Sequence, residues 1–225
     1  RSDIAMEDDL VEEVARIIGY DEIPTSALSA PIPHHEPQPQ RALREEIRDI
    51  LATSGMQEVI SYPLTDRQTL DKVEALSDAP EPLKVANPMS SGMQYLRTSL
   101  RGSLLDVLAS NRRGPQAEGV RLFEIGRVYL PKEKAKERDL PDEREVVVGA
   151  LLGARTPTSW LGAHGDMDFF DAKGHLELLF SQLGIHVVYE PFSDPIMHTG
   201  KTARIVCAGR PIGVIGEVHS RVLER

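Results

Sequence analysis

The sequence has 225 residues, of which 40% are hydrophobic and 27% are charged, and its formal net charge at pH 7 is -9. This composition is ordinary for a globular protein, and the longest apolar runs, such as residues 146–152, are far too short to cross a membrane. The acidic balance argues against a protein whose whole surface contacts nucleic-acid phosphates, and it leaves only a local basic patch at Arg112-Arg113.

The single cysteine, Cys207, lies within an apolar strand pattern and has no second cysteine with which to form an internal disulfide. A reducing cytoplasm is therefore the expected compartment. The chain begins Arg1-Ser2-Asp3, without an initiator methionine or a signal-like segment, so we expect it to be a piece of a longer protein.

An amphipathic helix is predicted over residues 7–18, with Gly19 as its end. Its apolar residues recur at helical spacing: Leu10, Val11, Val14, Ile17 and Ile18. Acidic residues lie on its other face and just upstream of it: Asp3, Asp9, Glu12 and Glu13. Two interpretations stay open, because acids near a helix N-terminus are favoured by the helix dipole, and grouped carboxylates are also ligands that Mg²⁺ prefers.

A proline-rich segment and a second amphipathic helix follow. Residues 25–39 contain too many prolines for a helix or a central strand and are predicted to form an extended linker. His34-His35 lies inside this linker without the spaced partners of a zinc site. Next come a helix predicted over residues 40–53 and a strand predicted over residues 58–62, which Pro63 ends.

The stretch from residue 96 to residue 129 is predicted to form the centre of the fold. Leucines at positions 100, 104, 105 and 108 give one apolar helix stripe, and Gly114-Pro115 ends this helix. The strand over residues 120–129 has apolar residues on both faces, which is typical of a central strand. A long helix lying on a central strand is therefore the expected core.

Glu124 lies on that strand with the parity of Leu122, so we expect its carboxylate to be buried. An unpaired buried charge costs several kcal/mol unless an arginine or backbone amides satisfy it. The nearest candidate partners are Arg97, Arg101 and Arg127. A structural ion pair is the simpler interpretation of this cluster, and an anion or nucleotide site is the alternative.

The remaining elements complete an α+β pattern. A buried strand is predicted over residues 146–152, and a long helix over residues 168–183 with Asp168 as its cap. Shorter elements are a helix at 65–76, a strand end at 83–88, and strands at 185–189, 203–208 and 212–218, the last two joined by a turn at 209–211. Strands joined by hairpins and interrupted by single long helices indicate an antiparallel sheet with helices against it.

Several motifs occur in an order that resembles one known family. They are DLVEEVARIIGYDEIP at residues 9–24, NPMS at 87–90, LRTSL at 96–100, LFEIGRVY at 122–129, HTGKTA at 198–203 and IGEVH at 215–219. Together they resemble the bacterial phenylalanyl-tRNA synthetase beta subunit over essentially the whole chain. One small departure is His198-Thr199, where the family more often has His-Pro.

The resemblance implies a class II aminoacyl-tRNA synthetase-like fold, in a tetramer of two alpha and two beta subunits. In that family the alpha subunit carries the active site for ATP, phenylalanine and the end of tRNA(Phe), and the beta core is a degenerate copy. Leu130-Pro131 stands where an active class II sheet would offer an arginine for ATP, and no late glycine-rich segment ends in an arginine on a helix. We therefore expect no catalytic and no cofactor-binding residues in this chain.

The same resemblance bears on the acidic residues and on the domains. The family positions matched by Asp3, Asp9, Glu12 and Glu13 bind Mg²⁺ shared with the alpha subunit, so the metal interpretation gains weight. Residues 1–24 are expected to be the end of a preceding small domain, residues 25–39 a linker and residues 40–225 the synthetase-like core. The helix at 40–53 and the sheet edge after it are expected to contact the alpha subunit.

Two other functional classes stay open as alternatives. One is an autonomous ATP-using ligase, which would show ATP binding or pyrophosphate exchange by itself. The other is an RNA-binding module, which would bind tRNA in a salt-dependent manner, although the acidic balance disfavours it.

Overall fold

The computed structural model describes residues 3–27, 29–31, 36, 38–73, 80–112, 119–132, 140–157, 160 and 165–223. The chain divides into two compact units, Arg1–Pro37 and Gln38–Arg225. Three features of the sequence analysis lie outside the described residues: the histidine pair at 34–35, the helix end at 114–115 and Arg113 of the basic pair.

The first unit contains one amphipathic helix, α1, which spans Glu7–Ile18 as predicted. Gly19 ends it with a φ of 106°, which few other residues adopt, and a 3-10 turn follows at Tyr20–Glu22. The apolar stripe of α1 has exposed fractions from 54% to 75%: Leu10, Val11, Val14, Ile17 and Ile18. The helix therefore presents both an apolar and an acidic face at its surface.

The second unit contains five helices and eight strands in the part of the chain that the structure describes. The helices are α2 (Pro39–Thr53), α3 (Arg67–Val73), α4 (Arg101–Arg112), α5 (Phe169–Gln182) and α6 (Ser220–Leu223). The strands are β1 (Gln57–Glu58), β2 (Leu64–Thr65), β3 (Tyr95–Leu96), β4 (Val120–Leu130), β5 (Asp142–Leu152), β6 (Val187–Pro191), β7 (Met197–Cys207) and β8 (Arg210–Val218).

Strand β4 is the central strand of a sheet in the order β1-β4-β5, as its two apolar faces predict. It pairs with β5 in antiparallel orientation over its whole length. Its parallel pairing with β1 is limited to Leu122 and Phe123. Leu122 on one face packs with leucines of α4. Phe123 and Ile125 on the other face pack with Leu51 of α2 and Leu179 of α5. The predicted core, a long helix on a central strand, is confirmed.

A second antiparallel sheet, in the order β6-β7-β8, packs against α5. Leu176 and Phe180 of α5 contact its buried residues, whereas Leu179 belongs to the core around β4. The predicted cap of this helix is confirmed, because Asp168 accepts hydrogen bonds from the backbone N–H groups of Phe170 and Asp171 at 2.8 and 3.3 Å. Helix α5 thus joins the two cores.

An ion pair also connects α4 to the turn between β6 and β7. Arg101 Nη2 lies 2.9 Å from Asp194 Oδ2, and the Asp194 side chain is only 6% exposed. The other carboxylate oxygen accepts a hydrogen bond from the Ile196 backbone N–H at 3.1 Å. Both oxygens of this buried group are therefore bonded, as the burial of a charge requires.

The α+β class with mainly antiparallel strands is confirmed, but the strands form separate sheets and not one. Besides the two three-stranded sheets, β2 and β3 form a short antiparallel ribbon, and β1 is parallel to β4. In the described ranges, no helix is both long enough and apolar enough to span a membrane.

Three strand predictions need correction. The strand predicted over 58–62 is limited to Gln57–Glu58, and the strand end predicted at 83–88 is a single bridge between Lys84 and Tyr95. The strand predicted as buried over 146–152 is an edge strand in the described residues and is half exposed at its start, with 36% exposure at Val146 and 43% at Val147. Only its later residues pack against helices on both faces of the sheet.

The turn predicted at 209–211 is displaced toward the N-terminus. Cys207 pairs with Arg210, which leaves a two-residue turn at Ala208 and Gly209 with φ values of 48° and 75°. Positive φ at both positions is the pattern of a type I′ turn, whose twist matches that of the two strands. Arg210 and Pro211 therefore belong to β8.

A histidine on α5 joins that helix to the end of α2. His175 Nδ1 lies 3.0 Å from Ser54 Oγ, and the Ser54 hydroxyl donates to the Leu51 carbonyl at 2.6 Å. Because the hydroxyl proton is used in that bond, we assign the imidazole proton to Nδ1, with Ser54 as acceptor. Burial lowers the pKa of His175, and the positive charge of Arg121 adds to the shift.

We expect acidification to destabilise the chain through His175. Its folded-state pKa lies below the ordinary value of 6.5, so the unfolded chain binds a proton that the folded chain does not. The free energy of unfolding should therefore fall as the pH drops through 6.5 toward the folded-state pKa. Replacing His175 with Asn should reduce this fall, measured as the change in urea midpoint between about pH 7.5 and about pH 5.5.

The exposed His186→Asn variant controls for the loss of one imidazole from the surface. The same pH dependence in His175→Asn and in the unmodified chain would contradict the prediction.

Candidate functional site

A buried ion pair lies at the centre of the first sheet. Arg97 Nη1 is 2.8 Å from Glu124 Oε1, and the two side chains are 5% and 2% exposed. The burial predicted for Glu124 from its parity is confirmed. Arg97 follows β3 directly and precedes α4. The loop that enters this helix therefore supplies the positive charge that neutralises the Glu124 carboxylate.

Ser61 is the third member of this cluster. Its hydroxyl donates to Glu124 Oε2 at 2.7 Å and accepts a hydrogen bond from Arg97 Nη1 at 2.7 Å. Its backbone N–H donates to Glu124 Oε1 at 3.3 Å. Because this donor is satisfied by a side chain and not by a carbonyl of β4, the regular pairing of β1 ends early. We refer to these three residues as the Arg97–Glu124–Ser61 network.

Backbone contacts also fix Arg97 against β4. Its Nε donates to the Arg127 carbonyl at 2.8 Å, its backbone N–H donates to the Pro63 carbonyl at 3.0 Å, and its own carbonyl accepts from the Tyr129 N–H at 2.9 Å. A Cβ at Gly126 would lie 2.5 Å from Arg97 Nη2. The missing side chain at Gly126 therefore leaves room for the guanidinium group.

The other two candidate arginines lie outside the network. Arg101 pairs with Asp194, and Arg127 is 64% exposed and pairs with Glu143 at 3.0 Å. The positive charge beside Glu124 therefore comes from Arg97, and the carboxylate neutralises it. A site that activates an amino acid needs cations free to bind a triphosphate, whereas Nη1 and Nε of Arg97 are already bonded to protein groups.

Two surface clefts lie beside α3. A cleft of about 590 Å³ and a second of about 430 Å³ share Arg67 and Gln68 in their walls. Arg67 is itself paired with Asp71 at 2.9 Å and with Glu81 at 2.6 Å. Neither cleft is lined by a member of the Arg97–Glu124–Ser61 network.

Asp9, one of the predicted metal ligands, caps the start of α1. Its Oδ2 accepts hydrogen bonds from the backbone N–H groups of Ala5 and Met6 at 2.7 and 2.9 Å. These bonds, with that of Ala5 foremost, hold the pKa of Asp9 below its ordinary value. This is the helix-start role that the spacing of the acids left open.

The other three predicted ligands are not gathered around Asp9. Glu13 accepts a hydrogen bond from Arg16 Nη2 at 2.7 Å, and Asp3 and Glu12 are exposed. Within the residues that the structure describes, no three Asp, Glu, His or Cys side chains are grouped so that they could hold a metal ion. In the described part of the chain, these four acids do not form a Mg²⁺ site by themselves, and the metal assignment stays a prediction.

The sequence analysis missed a pair of exposed apolar side chains next to the network. Ile60 is 90% exposed and Tyr62 is 74% exposed, on either side of the partly buried Ser61. The alternation of apolar, polar and apolar residues at 60–62 indicates that Ile60 and Tyr62 share one side and Ser61 faces the other, because alternate side chains of an extended segment point to opposite sides. It does not indicate which side is buried, so the sequence carried no signal for this exposure.

The fold is that of a class II aminoacyl-tRNA synthetase-like domain. The solved structure of PylSc from Desulfitobacterium hafniense, a pyrrolysyl tRNA synthetase, has a TM-score of 0.53 to this chain at 17% identity. The match covers 78% of this chain and 55% of that chain. At such low identity the likeness concerns the fold alone.

Sequence comparison identifies the particular family. The family model of the phenylalanyl tRNA synthetase beta chain CLM domain matches residues 23–225, and this chain belongs to that family. Phenylalanine-tRNA ligase beta subunits are 40% identical to it over 225 residues in Dehalococcoides mccartyi and 38% identical over 221 residues in Halalkalibacterium halodurans. These matches cover 100% and 97% of this chain but only 27% of each relative. The chain thus spans about a quarter of the length of the curated relatives.

We expect the two buried charges to be strongly coupled. Arg97→Met and Glu124→Gln each leave one buried charge without its partner, and each should lower the free energy of unfolding by about 3–5 kcal/mol. The double variant leaves no buried charge, so its loss should be smaller than the sum of the single losses by at least about 1 kcal/mol. Urea unfolding of the four proteins measures this coupling.

The exposed pair of Arg144 and Asp142 provides the matched control, with side chains that are 62% and 38% exposed. Its coupling should not exceed about 1 kcal/mol, because solvent screens it. Additive losses at Arg97 and Glu124 would show that the two residues do not stabilise each other.

Proposed function

We propose that this chain is the structural, non-catalytic part of a phenylalanine-tRNA ligase beta subunit. In this proposal it assembles with the alpha subunit, which binds ATP and phenylalanine and charges tRNA(Phe), in a tetramer of two alpha and two beta subunits. The names of the curated relatives, all beta subunits, support an alpha subunit as the partner. The neutralised Arg97–Glu124–Ser61 network supports the absence of adenylation chemistry in this core.

The observation that carries the assembly role is the exposure of Ile60 and Tyr62. Two large apolar side chains in neighbouring outward positions are 90% and 74% exposed, although the residue between them is bonded into the core. Aromatic and aliphatic side chains on a rigid support are typical anchors of protein interfaces. We propose that the alpha subunit covers them, together with the exposed part of α2 that includes Leu43.

We expect polar substitutions at these positions to weaken the complex. Ile60→Ser and Tyr62→Ser, each made in the full-length beta subunit, should raise the Kd for the alpha subunit about tenfold or more, because a buried apolar side chain contributes roughly 1.5–3 kcal/mol. Co-elution and titration of the purified subunits measure the change.

Met89→Ser is the matched control, since Met89 is 95% exposed and lies in a different segment. If both serine variants bind the alpha subunit with the Kd of the unmodified beta subunit, this contact is refuted. Pyrophosphate exchange by the beta subunit alone would refute its non-catalytic role.

We also propose that Asp3, Asp9, Glu12 and Glu13 contribute to a Mg²⁺ site that is completed by the alpha subunit. The support is the family resemblance and the position of three of these acids on one face of α1. Because these side chains form no group by themselves, ligands from the partner are a necessary part of the proposal.

The double variant Glu12→Gln/Glu13→Gln should reduce the rise in melting temperature that Mg²⁺ gives to the complex of alpha and beta subunits. The expected cause is the loss of two carboxylate ligands, since a neutral amide binds Mg²⁺ less strongly. Glu7→Gln, on the same helix, controls for the loss of a surface charge. An undiminished response to Mg²⁺ would reject the site.

Three further features complete the proposal. Residues 1–24 would be the end of a preceding small domain, residues 25–39 a linker and residues 40–225 the synthetase-like core. The single, half-buried Cys207 is compatible with the reducing cytoplasm in which tRNA is charged. In the assembled enzyme this core would also help to place tRNA(Phe).

A further inference from the structure

Residues 59–62 leave the first sheet after β1, and we name them the docking segment. The backbone N–H of Val59 donates to the Phe123 carbonyl of β4 at 2.8 Å. Two residues later the bonds reach a side chain of β4, since both the N–H and the hydroxyl of Ser61 donate to Glu124. The outer half of the docking segment is therefore held by the Arg97–Glu124–Ser61 network and not by a regular ladder.

The residue just before the docking segment is held by an ion pair. Arg48 of α2 donates from Nε to both carboxylate oxygens of Glu58, at 2.8 and 3.0 Å. The docking segment thus follows an ion pair between β1 and α2, and it contains Ser61, which is bonded to Glu124 and Arg97. Hydrogen bonds to charged groups are roughly twice as strong as bonds between neutral groups, so both Glu58 and Ser61 are firmly held.

The hydrogen bonds of Ser61 determine where its neighbours point. The hydroxyl donates to Glu124 and accepts from Arg97, each at 2.7 Å, and this turns the side chain toward the core. In an extended segment the side chains before and after it then point outward. The exposure of Ile60 and Tyr62 agrees with this geometry.

We infer that the buried network is a positioning device, which acts through Ser61 to hold Ile60 and Tyr62 in the orientation that the alpha subunit binds. This inference rests on the function proposed above. A segment that is already ordered loses little conformational freedom on association, whereas a loose one must be ordered by the partner. For stability alone, apolar residues of similar volume would serve as well as a buried charge pair. The charge pair, unlike apolar residues, can hold a hydroxyl in one direction.

The test uses the full-length beta subunit with its alpha subunit. Ser61→Ala removes both hydroxyl bonds to charged groups, and it should raise the Kd for the alpha subunit about tenfold. Exchange of the residue 61 amide, which donates to Glu124, should become faster in the free beta subunit, while the strands around it stay protected. Ser61→Thr keeps a hydroxyl and should restore both the affinity and the slow exchange.

Two control variants separate positioning from general stability. Ser110→Ala removes an exposed hydroxyl that donates to the Asp106 carbonyl of α4, and it should leave the Kd unchanged. Ile215→Val trims a buried residue of the second sheet, so it lowers stability away from the docking segment. If Ile215→Val weakens assembly as much as Ser61→Ala does, the positioning role is overturned.

The outcomes also separate this inference from the proposed function. If Ile60→Ser and Tyr62→Ser weaken assembly but Ser61→Ala does not, the positioning role fails and the interface stands. If none of the three weakens assembly, the interface itself fails. Weakening by Ser61→Ala, with rescue by Ser61→Thr, supports the positioning role.

Discussion

A carboxylate buried in an apolar sheet must be neutralised where it lies, and this requirement organises the centre of the molecule. Glu124 lies on the central strand between two apolar layers, and Arg97 reaches it from the loop that enters α4. The backbone of Arg97 is bonded in turn to Pro63 and Tyr129. Three parts of the chain that are distant in sequence therefore meet at one charge pair.

The two sheets of the larger unit depend on a shared helix. Leu179 of α5 packs into the core around β4, and Phe180, its neighbour in sequence, packs on the second sheet. The ion pair between Arg101 and Asp194 adds a second connection, from the start of α4 to the turn before β7. Because α4 and α5 each contact both parts, neither sheet can shift without disturbing the packing around β4.

The proposed non-catalytic role rests on this arrangement of charges. Adenylation needs fixed cations that stay available for phosphate, whereas Nη1 and Nε of the buried Arg97 are bonded to Glu124, Ser61 and a backbone carbonyl. On such a support, the exposed apolar side chains of Ile60 and Tyr62 are available for the assembly role proposed above.

Helix and strand periodicity by itself determined the helices α1 to α5, the central strand β4 and the burial of Glu124, because the spacing of apolar residues decides which face of an element is buried. The family motifs were likewise visible in the order of residues. Spacing could not decide which of three arginines would neutralise Glu124, since the pair joins positions 27 residues apart. It also could not show that β5 is an edge strand, that β1 ends early, or that Ile60 and Tyr62 face outward. Only the tertiary structure decided these features, because each depends on which groups from distant segments compete for the same hydrogen bonds and the same buried space.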